Sequence, residues 1–130
     1  MTEQRLPSLA RSPQVGERIE RPWGWFEDLG CGAGYKVKRL CIRAGQRISL
    51  QRHHHRLEHW VVVGGRGVLE CGGSVLEAAA GTTLLVPCGA VHRATAGCED
   101  LVIVEVQRGD WLNEDDIERL ADDFGRTKGE

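Results

Sequence analysis

The sequence lacks any apolar run that approaches the length of a membrane span, and its first residues, MTEQRLPSLARSPQ, lack the apolar core of a signal peptide. It also lacks a CxxC pair, and its five cysteines are an odd number that cannot all pair within the chain. These absences argue against a membrane protein and against a secreted disulfide scaffold. We therefore expect a cytoplasmic protein whose thiols are reduced.

A strong net charge is absent as well. The 17 Lys and Arg residues against 19 Asp and Glu residues give a formal charge of −2, which favours neither nucleic acid nor a membrane surface as a partner. The charges are unevenly placed, because seven basic residues and no acid lie from Lys36 to Arg56, while seven acids lie from Asp110 to Asp123. Most of these side chains are expected on solvated faces, and part of the basic set is expected to attract an anionic substrate.

Length and glycine content predict one domain of short strands. A chain of 130 residues forms a single core, and its 17 glycines separate short apolar runs. Residues 1–18 are polar and show no period, which predicts a flexible arm ahead of a domain over residues 19–126. Apolar periodicity and turn signals predict the main strands at 35–43, 57–63, 67–71, 75–78, 82–86, 91–95 and 101–107.

After Gly109 the spacing of the apolar residues changes. Asn113 is a plausible N-cap, and the acids that follow it suit the positive end of a helix. Apolar residues then recur at helical spacing, at Ile117, Leu120, Ala121 and Phe124. This pattern predicts a short C-terminal helix that packs its apolar stripe on the sheets.

The densest group of metal-ligating side chains lies in the nine residues that begin at Gln51. In a strand, alternate residues share a face, so Gln51, His53 and His55 point the same way. A bend after His55 would return Glu58 alongside His53, and His92 from a neighbouring strand would close the group. Imidazole nitrogens and a carboxylate oxygen are ligands that divalent metals prefer, so the pattern predicts a metal site.

Two glycine-bounded segments resemble the two cupin motifs, G-x5-HxH-x3,4-E-x6-G and G-x5-PxG-x2-H-x3-N. The matching residues are Gly45, His53, Glu58 and Gly65, and then Gly81, Pro87, Gly89 and His92. Gln51 stands at the first histidine position, and Ala96 stands at the closing asparagine position. The resemblance implies an all-β fold, a double-sheet jelly-roll barrel of cupin type, to which the short C-terminal helix would be added.

Five segments make the resemblance more specific: RPWGWFEDL, YKVKRL, SLQRHHHRLEHWVVVGG, VPCGAVHR and EVQRGDWLNEDDIERLADDFGR. They closely resemble type II mannose-6-phosphate isomerase, the cupin domain often fused behind a mannose-1-phosphate guanylyltransferase, from about Ile19 to Arg126. This implies one divalent metal ion, zinc as the first choice, held by Gln51, His53, Glu58 and His92. It also implies interconversion of mannose 6-phosphate and fructose 6-phosphate, which supplies GDP-mannose synthesis. The chain has no glycine-rich phosphate loop, so guanylyltransferase activity is not expected.

Aldose–ketose isomerisation needs a base that moves a proton between C1 and C2, and cations for the developing oxyanion and for the phosphate. Arg93 directly follows His92 in the family's VHR motif and is the first choice of cation, with Lys38 as the second. Glu105 is the best candidate base, because it is a carboxylate in an otherwise apolar strand, where burial would raise its pKa. An ion pair with one of the basic residues is an equal interpretation of Glu105.

The remaining polar residues of the motif receive less specific interpretations. His54 and His59 are interpreted as structural residues, and Arg56 as a solvent-exposed one. His55 is either a substitute ligand or a contact to substrate. Two other functions stay open, a non-catalytic module that binds sugar phosphates and a metal-dependent oxygenase-like cupin. The neutral amide of Gln51 argues against the oxygenase, because it is a poor match for iron-based oxygen activation.

The expected partners are a small phosphorylated sugar and a second copy of the chain, with neither nucleic acid nor a membrane. Val61 and Val63 lie on the opposite face from Glu58 and need cover from other residues. That cover comes either from an N-terminal strand, predicted in the segment RPWGWFEDLG after Glu20, or from another subunit. We expect a homodimer.

Overall fold

The computed structural model describes residues 16–127, which form eleven β-strands and no helix. Six strands form the first sheet, in the spatial order β1 (Arg18–Arg21), β2 (Gly24–Gly32), β3 (Tyr35–Ile42), β10 (Leu101–Gly109), β5 (Arg56–Gly64) and β8 (Thr83–Val86). Five strands form the second sheet, in the order β11 (Glu118–Ala121), β4 (Leu50–Arg52), β9 (His92–Ala96), β6 (Gly67–Cys71) and β7 (Ser74–Ala78). Every pairing is antiparallel, so the expected all-β double-sheet fold is confirmed.

The core lies between the inner faces of the two sheets and follows the alternation of the sequence. On β5 the buried positions are Arg56, Glu58, Trp60 and Val62, whereas Val61 and Val63 are exposed. One cluster of buried apolar side chains joins both sheets, with Val62 and Ile103 from the first and Leu69 and Ala94 from the second. The prediction that Val61 and Val63 lie on the face of β5 opposite Glu58 is therefore confirmed.

The inner face of the first sheet is apolar at one end and polar at the other. Toward one end, Ile103 of β10 pairs with Leu40 of β3 and Val62 of β5. Toward the other end, Gln107 pairs with Lys36 and Glu58, and all of these polar residues are buried. Because buried polar groups must find partners, this end of the barrel is where a functional site belongs.

The predicted C-terminal helix is wrong. Residues 118–121 form β11, which pairs with β4 and places Glu118 beside Arg52, with an ion pair of 2.9 Å. Asn113 does accept a capping hydrogen bond at Oδ1 from the Asp115 N–H (2.7 Å), but the chain turns once and then extends. A helix this short is marginal in water, so pairing with the free edge of β4 outweighs it.

The predicted flexible arm lies mostly outside the described residues, because the description begins at Gly16 and β1 at Arg18. The motif glycine Gly65 has a clear structural reason, since its φ is +81° and a Cβ there would lie 1.9 Å from the Asp100 carbonyl oxygen. Within residues 16–127 no helix is long and apolar enough to cross a membrane.

Candidate metal centre

Three predicted ligands come together at the polar end of the barrel. One ligand atom from each of His53, Glu58 and His92 lies within 4.8 Å of the others, and all three side chains are buried. His53 Nε2 is 3.2 Å from Glu58 Oε2, and His92 Nε2 is 3.8 Å from Glu58 Oε1. The carboxylate comes from β5 of the first sheet and lies between two imidazoles of the second sheet, His53 directly after β4 and His92 on β9.

Backbone carbonyls fix which nitrogen of each imidazole carries the proton. His53 Nδ1 is 2.6 Å from the Asp116 carbonyl oxygen, and His92 Nδ1 is 2.9 Å from the Ala90 carbonyl oxygen. A carbonyl only accepts, so each Nδ1 is the donor, and in a neutral ring each Nε2 then carries the lone pair. His92 Nε2 is buried and has no hydrogen-bond partner among residues 16–127. A buried imidazole nitrogen that has no hydrogen-bond partner and lies beside a carboxylate fits a divalent metal ion.

The protonation state of His53 agrees with that fit. Burial first, and then the positive charge of Arg56, lower the pKa of His53 to about 4. The imidazole is therefore neutral at physiological pH and available as a ligand.

Gln51 lies beside the cluster without being joined to it by a hydrogen bond. It pairs in register with His92 across β4 and β9, and it lines the same cavity as His53 and Glu58. Its amide nitrogen donates to Ser49 Oγ (2.8 Å), which leaves the amide oxygen as its ligand atom. The structure thus brings the four predicted metal ligands into one neighbourhood.

Arg56, interpreted as solvent-exposed, is in fact buried at the centre of the site, with 6% of its surface exposed. Its Nε donates to Glu58 Oε2 (2.9 Å), and its terminal Nη2 is 3.4 Å from His53 Nε2. Trp60 Nε1 donates to the other oxygen, Glu58 Oε1 (2.9 Å). The signal for Arg56 was present in the sequence, because position 56 is two residues before Glu58 and shares its face of the strand.

The cluster opens onto a cavity of about 230 Å³. Two of the predicted catalytic residues, Glu105 and Lys38, line it. Glu105 is buried, and burial first and then the negative charge of Glu58 raise its pKa. Gln107 Nε2 donates to Glu105 Oε2 (2.6 Å). Lys38 is the cross-strand neighbour of Glu105 and donates from Nζ to Glu114 Oε2 (2.6 Å). Glu105 and Lys38 are therefore in position to act on a molecule in this cavity.

Arg93, the predicted first cation, does not line this cavity. It follows the inward-facing His92 on β9, so its side chain leaves the opposite face of the second sheet. There it donates from Nε to the Ile48 carbonyl (3.0 Å) and from Nη2 to the Ala121 carbonyl (3.3 Å). Its observed contacts join β9 to the strand that replaced the predicted helix.

The other histidines also lie away from the cluster. His54 is exposed and its Nε2 lies 3.0 Å from Glu118 Oε1, and the exposed His55 places its ring edge-on to Trp111 at a centroid distance of 5.0 Å. His59 is on the face of β5 opposite Glu58, as predicted. The structure does not bring His55 to the cluster, where it was one alternative ligand.

Sequence reasoning missed several charged residues that line the cavity. They are Arg21 from β1, Glu114 and Asp115 from the connection after β10, Arg119 from β11 and Arg126 beyond it. No local signal identified the C-terminal members, because that segment was predicted to be a helix packed on the outside. The fold instead lays it across the cavity.

Most of the chain is similar to a known protein family. Residues 10–122 match the family described as mannose-6-phosphate isomerase C-terminal. The alginate biosynthesis protein AlgA of Pseudomonas aeruginosa is 43% identical over 110 residues, which are 84% of this chain and 23% of that protein. The xanthan biosynthesis protein XanB of Xanthomonas campestris is 39% identical over 125 residues, 95% of this chain and 27% of that protein.

A mannose-1-phosphate guanylyltransferase of Escherichia coli is 38% identical over 115 residues, 88% of this chain and 24% of that protein. The chain thus spans about a quarter of the length of these relatives. Among solved structures, an RmlC-like cupin from Shewanella frigidimarina matches with a TM-score of 0.68 and 18% identity, over 80% of this chain and 94% of that one. KdgF from Halomonas sp. matches with a TM-score of 0.67 and 15% identity, over 76% and 91%. These structures show the fold alone.

Proposed function

Because the chain belongs to the family of mannose-6-phosphate isomerase C-terminal domains, we propose that it is a metal-dependent aldose–ketose isomerase acting on mannose 6-phosphate and fructose 6-phosphate. The observation that carries the proposal is the cluster of His53, Glu58 and His92 at a cavity that Glu105 and Lys38 also line. The product would supply GDP-mannose synthesis.

Gln51, His53, Glu58 and His92 would hold one divalent ion, which we propose to be zinc. When bound, the ion supplies Lewis-acid stabilisation of negative charge on the C1 and C2 oxygens of the sugar. Glu58 is the only anionic member of this set, and the hydrogen bonds from Arg56 and Trp60 hold both of its oxygens in place.

Glu105 is the proposed base. It takes the proton from C2 of mannose 6-phosphate and returns it to C1, while the hydroxyl proton passes from O2 to O1, so the aldose becomes the ketose with no net proton change. Burial and the negative charge of Glu58 raise its pKa, which makes the carboxylate a stronger base. The Gln107 amide holds one carboxyl oxygen and so sets the direction of the other.

Positive groups in the cavity would stabilise the enediolate and bind the phosphate. Lys38 and Arg56 lie deepest among them and are both buried, so their charges act in a low dielectric. Arg21, Arg119 and Arg126 come from three different segments, and we assign the phosphate to them. Arg126 is itself oriented by two hydrogen bonds to Asp122 (2.7 and 3.0 Å).

The test is deuterium uptake from heavy water into the C1 and C2 positions of recovered sugar phosphate, with zinc supplied. Wild type should incorporate deuterium, and Glu105→Gln should lose exchange while it still binds metal and sugar phosphate. Glu77→Gln, the same change at an exposed position on β7, is the control and should exchange as wild type does.

The exchange experiment also separates the isomerase from the non-catalytic module that binds sugar phosphates. A wild-type protein that binds zinc and sugar phosphate but exchanges no deuterium would be the non-catalytic module. Exchange that survives in Glu105→Gln would keep the reaction and move the base to another residue.

A further inference from the structure

The chain that follows the last strand of the first sheet returns to the metal centre through a single buried residue. Asp116 has 4% of its surface exposed, although it lies in a turn outside both sheets. All three of its hydrogen-bond acceptor contacts go to the three-histidine segment His53–His55, more than sixty residues earlier in the chain. We propose that Asp116 is a positioning residue that sets the ring of His53 for metal binding, an inference that rests on the proposed metal site.

The backbone of Asp116 acts on the imidazole directly. Its carbonyl oxygen accepts the His53 Nδ1–H at 2.6 Å, which fixes the tautomer and leaves Nε2 toward Glu58. The turn holds this carbonyl in place, because the Asp116 N–H donates to the Asn113 carbonyl (3.0 Å) and Asn113 Oδ1 accepts the Asp115 N–H (2.7 Å). The hydrogen bond to His53 therefore depends on the geometry of the turn.

The side chain of Asp116 acts on the backbone of the same segment. Its two carboxylate oxygens accept the N–H groups of His54 and His55, each at 2.9 Å. These residues form the bend between β4 and β5, so the carboxylate fixes the angle at which the chain leaves His53 and returns with Glu58. One residue thus holds both the ring of the ligand and the bend that brings the next ligand back.

His92 provides an internal contrast. Its Nδ1 is held by the carbonyl of Ala90, two residues away on the same segment, so its orientation is local. The orientation of His53 depends instead on a residue 63 positions away. Loss of Asp116 is therefore expected to disturb the His53 side of the centre and to leave the His92 side in place.

The test compares Asp116→Ala and Asp116→Asn with wild type by zinc affinity against a competing chelator. It adds the visible spectrum of the cobalt-loaded protein and the His53 tautomer from long-range ¹H–¹⁵N correlation spectra of the metal-free protein. The alanine variant should bind zinc about 10- to 100-fold more weakly, the range typical of lost partners of metal ligands. Its cobalt spectrum should change, because the bend after His53 is no longer fixed. Its His53 should no longer hold the proton at Nδ1 alone, because the substitution keeps the Asp116 carbonyl but frees the bend that brings Nδ1 to it. The asparagine variant keeps one side-chain acceptor, so its zinc affinity should fall between those of wild type and the alanine variant.

Two controls frame the result. Asp110→Ala removes an exposed acid from the same connection and should leave zinc affinity and the tautomer unchanged. His92→Ala should lose the metal while His53 keeps its tautomer. Zinc affinity, spectrum and tautomer all equal to wild type in a folded Asp116→Ala protein would overturn the positioning role. If that variant does not fold, wild-type affinity and tautomer in Asp116→Asn overturn it instead. A wild type that binds no zinc refutes the proposed function, while the tautomer comparison still decides the role of Asp116.

Discussion

Arg56 and Arg93 show how one residue position decides the role of a charge. Both arginines are buried. Arg56 lies two residues before Glu58 and shares its face of the strand, whereas Arg93 directly follows His92 and lies on the opposite face. A guanidinium cannot be deprotonated at ordinary pH, so each must find acceptors where its strand places it. Arg56 finds the ligand carboxylate, and Arg93 finds two backbone carbonyls.

This contrast predicts that the alanine substitution of Arg56 lowers activity, whereas that of Arg93 lowers stability. Arg56→Ala should lower kcat for isomerisation about a hundredfold or more, because a buried cation beside the reacting atoms is lost. Arg93→Ala should keep kcat in the folded protein and lower the free energy of unfolding by about 1–3 kcal/mol, because the buried Ile48 carbonyl and the partly buried Ala121 carbonyl lose a charged donor. Steady-state kinetics, urea unfolding and zinc content on the same samples check both. A large loss of kcat in a stable, zinc-loaded Arg93→Ala protein would restore Arg93 as the catalytic cation.

At the scale of elements, the connection from β10 to β11 is the part of the chain that shapes the cavity. It carries Glu114, whose carboxylate oxygen is 2.6 Å from Lys38 Nζ and 3.7 Å from Lys36 Nζ, and Asp116, which holds the bend after His53. Strand β3 and the histidine segment are thereby tied to a connection, residues 110–117, none of whose residues belongs to the buried apolar cluster or packs against it. Ion pairs and hydrogen bonds, more than apolar packing, keep this connection in place.

The ion pair of Glu114 predicts a pH dependence of stability. Burial alone would raise the pKa of Glu114, but Lys38, with help from Lys36, lowers it to about 2, against 4.5 for an ordinary glutamate. A carboxyl whose pKa is lower in the folded state contributes stability that is full above pH 4.5 and is lost as the pH falls toward 2. Wild type should therefore lose more stability than Glu114→Gln between pH 6 and pH 3.5.

Urea unfolding of both proteins at several pH values in that range measures the difference. Glu99→Gln, at an exposed position before β10, serves as the matched control and should follow wild type. Identical pH profiles for wild type and Glu114→Gln would show that the contact with Lys38 contributes nothing to folding. Because the Glu114 side chain is 38% exposed, solvent screens the interaction and the expected difference is modest.

At the scale of the whole molecule, the outer face of the first sheet is unusually apolar. Val61, Val63 and Leu85 are 40%, 49% and 52% exposed and lie on the neighbouring strands β5 and β8. β1 forms the opposite edge of this sheet, so the N-terminal strand does not cover them within the described residues. We therefore propose that a second copy of the chain covers these residues.

Light scattering at micromolar concentration should therefore give the mass of a dimer. Val63→Glu should shift the protein toward a monomer, because the substitution places a charge in the apolar face without touching the core. Val75→Glu is the control, since Val75 is 67% exposed on β7 of the other sheet and should leave the dimer intact. A monomeric wild type would remove the second copy as the cover.

The sequence by itself predicted the main strands over residues 35–107, the two faces of β5 and the grouping of His53, Glu58 and His92. These features follow from local alternation and from spacing within two short motifs, and a strand transmits them faithfully because side chains alternate strictly. The sequence also named Glu105 as the candidate base and Lys38 as the second candidate cation, and both line the cavity. The metal, the base and the substrate remain proposals that the geometry supports.

Only the tertiary structure decided the fate of residues 113–121 and the roles of Arg56, Arg93 and Asp116. A short segment with helical spacing has too little intrinsic stability to resist a free sheet edge, and the edge of β4 is about seventy residues away in sequence. The contacts that Asp116 makes with His53, His54 and His55 span a similar distance. Such pairings depend on where the chain returns in space, which no local pattern specifies, and they decide how the site is held together.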